Sequence, residues 1–262
     1  MGVQHFIRNA RRYAATIRRA RTAPSPATDR RIAVPVYVIN LERNEPRRTF
    51  ILEHLRSHGI VPTIYPAVDG RRLDLVTVGR DGTYSEALAV EKFSRPLSPA
   101  EIGCAMSHLG VYREIVASGA EMAVVLEDDA MLAPDFAAGL DALLGELPPD
   151  WDLVQLVYSC REYEPVSPRA VRFTMQRSMP VAAAGYLLRA SGARKILDQA
   201  YPIHYPADSI LGRSPRWGTN VFGAKPQLVE VNNVFPSGIL GQRNFRTRVT
   251  TKAKEIMVRL LG

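Results

Sequence analysis

The sequence has little cysteine: Cys104 and Cys160 are the only two in 262 residues. Two thiols build no disulfide framework, and their spacing matches no structural metal motif. They read as reduced core thiols of a cytosolic protein. Long apolar runs are also missing. No stretch of 18 apolar residues occurs, and the longest candidates, such as residues 181–188, have the length of a core strand. A membrane-spanning helix is therefore not expected. The N-terminal segment scatters arginine throughout and has no apolar centre, unlike a secretory signal. Internal repeats and low-complexity tracts are absent too. What remains is 46% hydrophobic residues with ordinary glycine and proline, the composition of a globular enzyme-sized domain.

Positive charge is plentiful but unevenly placed. The formal net charge is +8. Residues 1–31 carry eight arginines against Asp29, a net of +7, and residues 243–262 carry a net of +5. The body between them is mildly acidic, at −4. A nucleic-acid enzyme would carry its charge around a cleft, and these tails hold few aromatics for stacking bases, so no nucleic-acid partner is expected. Both ends have apolar residues at helical spacing: Phe6, Ile7, Ala10, Tyr13, Ala14 and Ile17, then Val249, Ile256, Met257, Leu260 and Leu261. They read as basic amphipathic segments flanking a domain over residues 32–242. Such segments suit the anionic inner face of a cytoplasmic membrane, with arginine among the head groups. The alternative is that one tail packs on the body and the other is disordered.

The body alternates strand-like and helix-like stretches. VPVYVINL (34–41) reads as a buried strand and residues 46–57 as a helix ended by Gly59. A second strand over 63–68 ends at Asp69-Gly70. Residues 70–97 look like a long irregular loop, a candidate lid. Ser98-Pro99-Ala100-Glu101 is a capping-box helix start, and that helix runs to Ser118 before Gly119. The strand 122–126 then leads directly into Glu127-Asp128-Asp129. Helix 134–147, strand 151–158, strand 181–189, helix 191–199 and strand 226–231 follow. This alternation predicts an α/β sandwich with a mostly parallel central sheet and ligands beyond the carboxyl ends of the strands. Asn40 and the acidic triplet lie at such ends.

Three adjacent carboxylates after an apolar strand repel one another, and a hard divalent cation with oxygen ligands relieves that repulsion. In extended geometry Glu127 and Asp129 share a face and Asp128 faces away. One of the pair can hold metal while the other takes ribose hydroxyls. The alternative is a solvated acidic turn that caps the helix beginning at Pro134.

Several blocks in order resemble glycosyltransferase family 25, the bacterial lipooligosaccharide glycosyltransferases and their collagen-galactosyltransferase relatives. They are VINLERNEPRR, Ala67-Val68-Asp69-Gly70, LSPAEIGCAMSHLGVYREIV, VVLEDDAML, AAGYLLRASGARKIL and Pro206-Ala207-Asp208. Together they cover roughly residues 34–212. After Arg213 the similarity thins, which leaves the acceptor side less defined than the donor side. The resemblance implies a GT-A-like nucleotide-diphospho-sugar-binding fold, a nucleotide-sugar donor such as UDP-galactose, and manganese or magnesium. It places Asn40, Arg43, Asp69, Ser107, Glu127 and Asp128 at the donor, and Glu127 and Asp129 at the metal. Glu101, His108 and Asp208 become catalytic candidates, Asp208 as the base that an inverting transfer needs. Structural alternatives stand beside these: a capping box for Glu101, a core histidine for His108, a turn cap for Asn40 and a helix cap for Asp208.

The function expected is therefore inverting, metal-assisted glycosyl transfer to a lipopolysaccharide-type glycan or glycolipid acceptor. Two rivals use the same residues. One is a metal-dependent phosphohydrolase that splits a nucleotide sugar with water. The other is a non-catalytic membrane-associated binding protein on a degenerate transferase fold.

Overall fold

The computed structural model describes residues 34–160, 162–174 and 182–232. The basic segments expected at 1–31 and 243–262, with the linker between Ala23 and Thr28, lie outside these residues.

A sheet of eight strands forms the middle layer, in the order β2-β1-β3-β8-β5-β9-β7-β6. β1 (Val36–Asn40) is buried along its whole length, as its run of β-branched residues dictates. It pairs in parallel with β2 (Thr63–Pro66) on one side and β3 (Met122–Glu127) on the other. β8 (Gly185–Arg189) runs antiparallel between β3 and β5 (Leu153–Gln155), and β5 is parallel to β9 (Val221–Ala224). β6 (Tyr163–Pro165) and β7 (Ala170–Phe173) form an antiparallel edge. The α/β class expected from sequence holds, but the sheet is mixed. The parallel rule applies where a helix crosses between neighbouring strands, and β8 breaks it by inserting between β3 and β5. A two-stranded sheet pairs β4 (Ala130–Leu132) with β10 (Val229–Val231).

Helices cover both faces. On one face α1 (Glu45–Ser57) and α5 (Phe136–Glu146) bury Phe50, Ile51, Leu55, Phe136, Leu140 and Leu143 against Val38, Leu126 and Val154 of the sheet. On the other face lie α4 (Pro99–Ala117), α6 (Ala190–Ala200) and α7 (Ala207–Arg213), packed on Tyr37, Ile39, Val125 and Leu153. Each fully buried leucine or isoleucine contributes about 1.5–3 kcal/mol. The segment expected to be an irregular loop, 70–97, is largely helical: a 3₁₀ turn at Gly70–Arg72, α2 (Leu75–Arg80) and α3 (Glu86–Phe93). Asp74 and Ser85 cap the two helices, accepting from Val76 N and Leu88 N. Their shortness leaves too few turns for a helical period to show in sequence.

The starting signal of α4 works as its residues suggest. Ser98 Oγ accepts from Glu101 N at 3.3 Å, and the Glu101 carboxylate accepts from Ser98 N at 2.9 Å. Gly119, at φ +72°, ends the run. Gly103 lets this helix approach the end of β2 closely: a Cβ there would sit 2.6 Å from the Val68 carbonyl oxygen. That approach sets α4 across the carboxyl ends of β1, β2 and β3, where the site lies.

Candidate functional site

The acidic triplet is where β3 stops being a strand. Glu127 is its last residue, and Asp128-Asp129 turn the chain into β4. The alternation expected from extended geometry therefore ends at Glu127. Asp128 and Asp129 do not face opposite ways: both accept from the same guanidinium nitrogen, Arg47 Nη1, at 2.7 and 3.1 Å. The main chain is tied down by Asn232 N donating to the Asp129 carbonyl at 2.8 Å and by Glu127 N donating to Ala184.

Asn40, at the end of β1, donates Nδ2–H to Asp128 at 2.8 Å. Asn40 and Asp128 are both buried. Asn40 Oδ1 and Asp129 Oδ1 are buried with no hydrogen-bond partner, an uncommon and costly state for native polar atoms. Burial opposes the charge of Arg47, yet the hydrogen bond and charge of Asp128, with Asp129 and Glu127, hold it above its ordinary value. Asp129 shows the opposite imbalance: burial and then Glu127 push its carboxyl up to about 7 despite Arg47. The cluster holds more negative charge than one arginine offsets. An orphaned carboxylate oxygen in such surroundings is chemically suited to a hard divalent cation.

Glu127 turns toward α4. Its Oε1 lies 3.2 Å from His108 Nε2 and 4.0 Å from Cys104 Sγ. His108 Nδ1 meets Tyr186 Oη at 2.7 Å, and Tyr186 O–H donates to Tyr112 Oη at 3.0 Å. Burial keeps both phenols and the Cys104 thiol protonated well above their ordinary values. His108 is therefore both things the sequence allowed, a buried histidine with satisfied partners and a neighbour of the triplet.

Asp69 and Arg43 lie at the ends of β2 and β1. Asp69 accepts from Arg43 Nε at 2.7 Å and from Arg71 Nη2 at 3.0 Å, and the hydrogen bonds from Arg71 and then Arg43 hold it well below the usual carboxylate range. These residues, with Arg72 and Leu73, line a cleft of about 730 Å³, large enough for a nucleotide.

Two expected site residues serve the scaffold instead. Ser107 is fully buried, donating to the Gly103 carbonyl and accepting from Val68 N, so it pins α4 to the loop after β2 and reaches no cleft. Glu101 is 1% exposed and its oxygens are taken by Ser98 and by both terminal nitrogens of Arg95. The capping box and ion pair account for its position. Asp208 sits in the first turn of α7, accepting from Ser209 N. Its charge reaches Cys104 and Arg95, so α7 brings it to the α4 side of the same region. Sequence reasoning missed Arg47, Cys104, Tyr112 and Tyr186. Arg47 was the later arginine of the first block, and Tyr186 the tyrosine of a later one, so both signals were present without a role attached.

Residues 33–211 match Glycosyltransferase family 25 (LPS biosynthesis protein). Procollagen galactosyltransferase 1 of Danio rerio is 26% identical over 83% of this chain and 39% of its own length. A Glycosyltransferase 25 family member of Anopheles gambiae is 29% identical over 67% of the chain and 31% of its length. The Probable inactive glycosyltransferase 25 family member 3 of Bos taurus is 32% identical over 67% of the chain and 31% of its length. The chain thus spans between three and four tenths of the length of these curated relatives. The family match covers more than half of the chain and includes every residue of the cluster around Asp129, so the protein belongs to glycosyltransferase family 25.

Proposed function

We propose that the protein transfers a sugar from a nucleotide-sugar donor to a glycan hydroxyl, at the strand ends between the β1–β2 cleft and the acidic triplet. One observation carries this reading: Asn40, Arg47, Asp128 and Asp129 form a buried charge cluster with an orphaned carboxylate oxygen, beside a cleft lined by Arg43, Arg71 and Arg72. The arginines suit the phosphates and base of a nucleotide. UDP-galactose is the donor favoured by the names of the galactosyltransferase relatives, and a lipopolysaccharide-type glycan the acceptor favoured by the family's description.

The residues divide the work. Arg47 holds both aspartates and Asn40 holds Asp128, so the carboxylates are fixed in place before a donor binds. A manganese or magnesium ion between Asp129 and Glu127 would neutralise charge on the leaving diphosphate. Asp208 takes the acceptor proton as the acceptor oxygen bonds to the anomeric carbon, while the carbon–oxygen bond to the diphosphate breaks and its electron pair leaves with phosphate. Attack from the face opposite the leaving group inverts the anomeric centre. The acceptor is reached at an anionic membrane surface through the basic ends. Support for that comes from their charge of +7 and +5 beside a body of −4. No described helix is long and apolar enough to cross a membrane.

A non-catalytic reading draws on the relatives named probable inactive, at 30% and 32% identity. A panel of nucleotide sugars with manganese, read as thermal shift, tests the donor site, because a ligand that binds only the folded state raises its stability. One donor should raise the melting temperature alone among the panel, and the shift should vanish in Asp129→Ala. Equal and negligible shifts across the panel would remove the donor site.

A further inference from the structure

Cys104 and His108 stand beside Glu127 in a geometry that the transferase reading leaves unused. Cys104 and His108 lie one helical turn apart on α4, so their side chains share a face. That face meets Glu127 at the end of β3. The thiol sulfur, the imidazole Nε2 and a carboxylate oxygen lie within 4.8 Å of one another. His108 Nε2 is 3.2 Å and Cys104 Sγ 4.0 Å from Glu127 Oε1.

We propose that Cys104, His108 and Glu127 form a binding site for a borderline-soft divalent cation of the zinc type, which has Glu127 in common with the hard-cation position at Asp129. Tetrahedral zinc with sulfur at about 2.3 Å and nitrogen or oxygen at about 2.1 Å sets its ligand atoms about 3.3–3.7 Å apart. The pairs on Glu127, at 3.2 and 4.0 Å, bracket that range, and the third pair lies within 4.8 Å, so the set closes on an ion by a side-chain movement of about 1 Å. Thiolate and imidazole select zinc or cobalt over manganese and magnesium. The set has three protein ligands and an open fourth position, the pattern of an accessible site rather than a closed structural one. The Glu127 side chain is 30% exposed, which gives the ion its way in.

The surroundings of His108 also suit a ligand. To coordinate through Nε2, the ring must carry its proton on Nδ1. Tyr186 Oη stands 2.7 Å from Nδ1 to accept it, and Tyr186 passes its own hydrogen to Tyr112. A ligating histidine held through its other nitrogen is the usual second shell of a metal site. Glu127 is shared with the hard-cation position, so a zinc ion here withdraws that carboxylate from Asp129.

Cobalt titration of the chelator-treated full chain tests the site without any sugar donor. Wild type should develop a sulfur-to-cobalt charge-transfer band that saturates at one ion per chain and disappears on adding zinc. Cys104→Ser should lose the band, with circular dichroism and melting showing that the variant is folded. Cys160→Ser and Asp129→Asn should keep it. Tyr186→Phe should weaken cobalt binding by about 10–100-fold. No band in wild type, a band retained in Cys104→Ser, or a band lost in Asp129→Asn would each overturn the proposal. Because the readout is cobalt–sulfur absorption, it stands or falls independently of the transferase reading.

Discussion

Replacing Asp129 with asparagine isolates the electrostatic imbalance at the site. In the metal-free protein burial and Glu127 push the Asp129 carboxyl up to about 7, from an ordinary 3.8. Its folded value is raised, so the unfolded chain ionises first as pH increases. The folded state then binds more protons than the unfolded one, and stability falls as pH rises from about 4 to 7. A gap of three units corresponds to at most about 4 kcal/mol, and coupling among the charges of the cluster brings the part assigned to Asp129 to on the order of 2 kcal/mol. Asparagine removes the charge and keeps an acceptor for Arg47. Metal-free Asp129→Asn should therefore melt about 4–8 °C above wild type at pH 8, with the difference closing below pH 4. Manganese at 100 times its dissociation constant should stabilise wild type by about 2.7 kcal/mol, or about 5–11 °C, and Asp129→Asn hardly at all. Differential scanning fluorimetry over pH, with and without manganese, reads both effects. A variant less stable than wild type at pH 8 without metal, or one stabilised by manganese as strongly, would refute the reasoning.

Other expectations follow from separate parts of the molecule. Asp152 is 2% exposed and joins β5, α6 and β9 through Lys195 at 2.6 Å, Ser191 at 2.8 Å and Asn220 N at 2.9 Å; Asp152→Ala should cost about 1–3 kcal/mol in urea unfolding, because it leaves a backbone donor and a serine hydroxyl without their acceptor while the half-exposed lysine stays solvated. His54 Nε2 accepts from Leu132 N at 2.8 Å, and burial, then His58, lower its pKa to about 4. A depressed histidine destabilises the fold as pH falls from about 6.5 to 4, by up to about 3 kcal/mol, and His54→Gln should flatten that limb of the stability profile. Liposome flotation should recover the full chain on anionic but not neutral vesicles, weakened by salt, and should not recover a chain lacking residues 1–31 and 243–262. Equal flotation of the two chains would remove the membrane proposal.

What the sequence disclosed depends on length and local signal. β1 and β3 are short, almost wholly apolar runs containing adjacent or alternating valines, and α4 has nineteen residues behind a full capping box, so all three were legible. β6 and β7 were missed because three or four residues, partly exposed, carry no distinctive period. β9 was missed because VFGA contains a glycine and an alanine, residues that strands disfavour. Within the site, the triplet was legible as local charge. Its partners were not, because Arg47 lies 81 residues from Asp128 and Tyr186 lies 78 from His108. Spacing rules identify neighbours on one element, whereas these pairs exist only once β1, β3 and β8 stand side by side. Glu101 shows the converse. Its helix-start pattern and its family block pointed to different roles, and the structure shows the capping box together with an Arg95 ion pair that spacing did not suggest.

Transfer itself tests the central claim most directly. The full chain would be incubated with UDP-galactose, manganese and deacylated lipopolysaccharide oligosaccharides, and the products weighed by mass spectrometry. The account predicts an acceptor heavier by one hexose, with one nucleoside diphosphate released per sugar added, and neither product from Asp129→Ala. Diphosphate release with free sugar and no heavier acceptor, or transfer undiminished in Asp129→Ala, would contradict it.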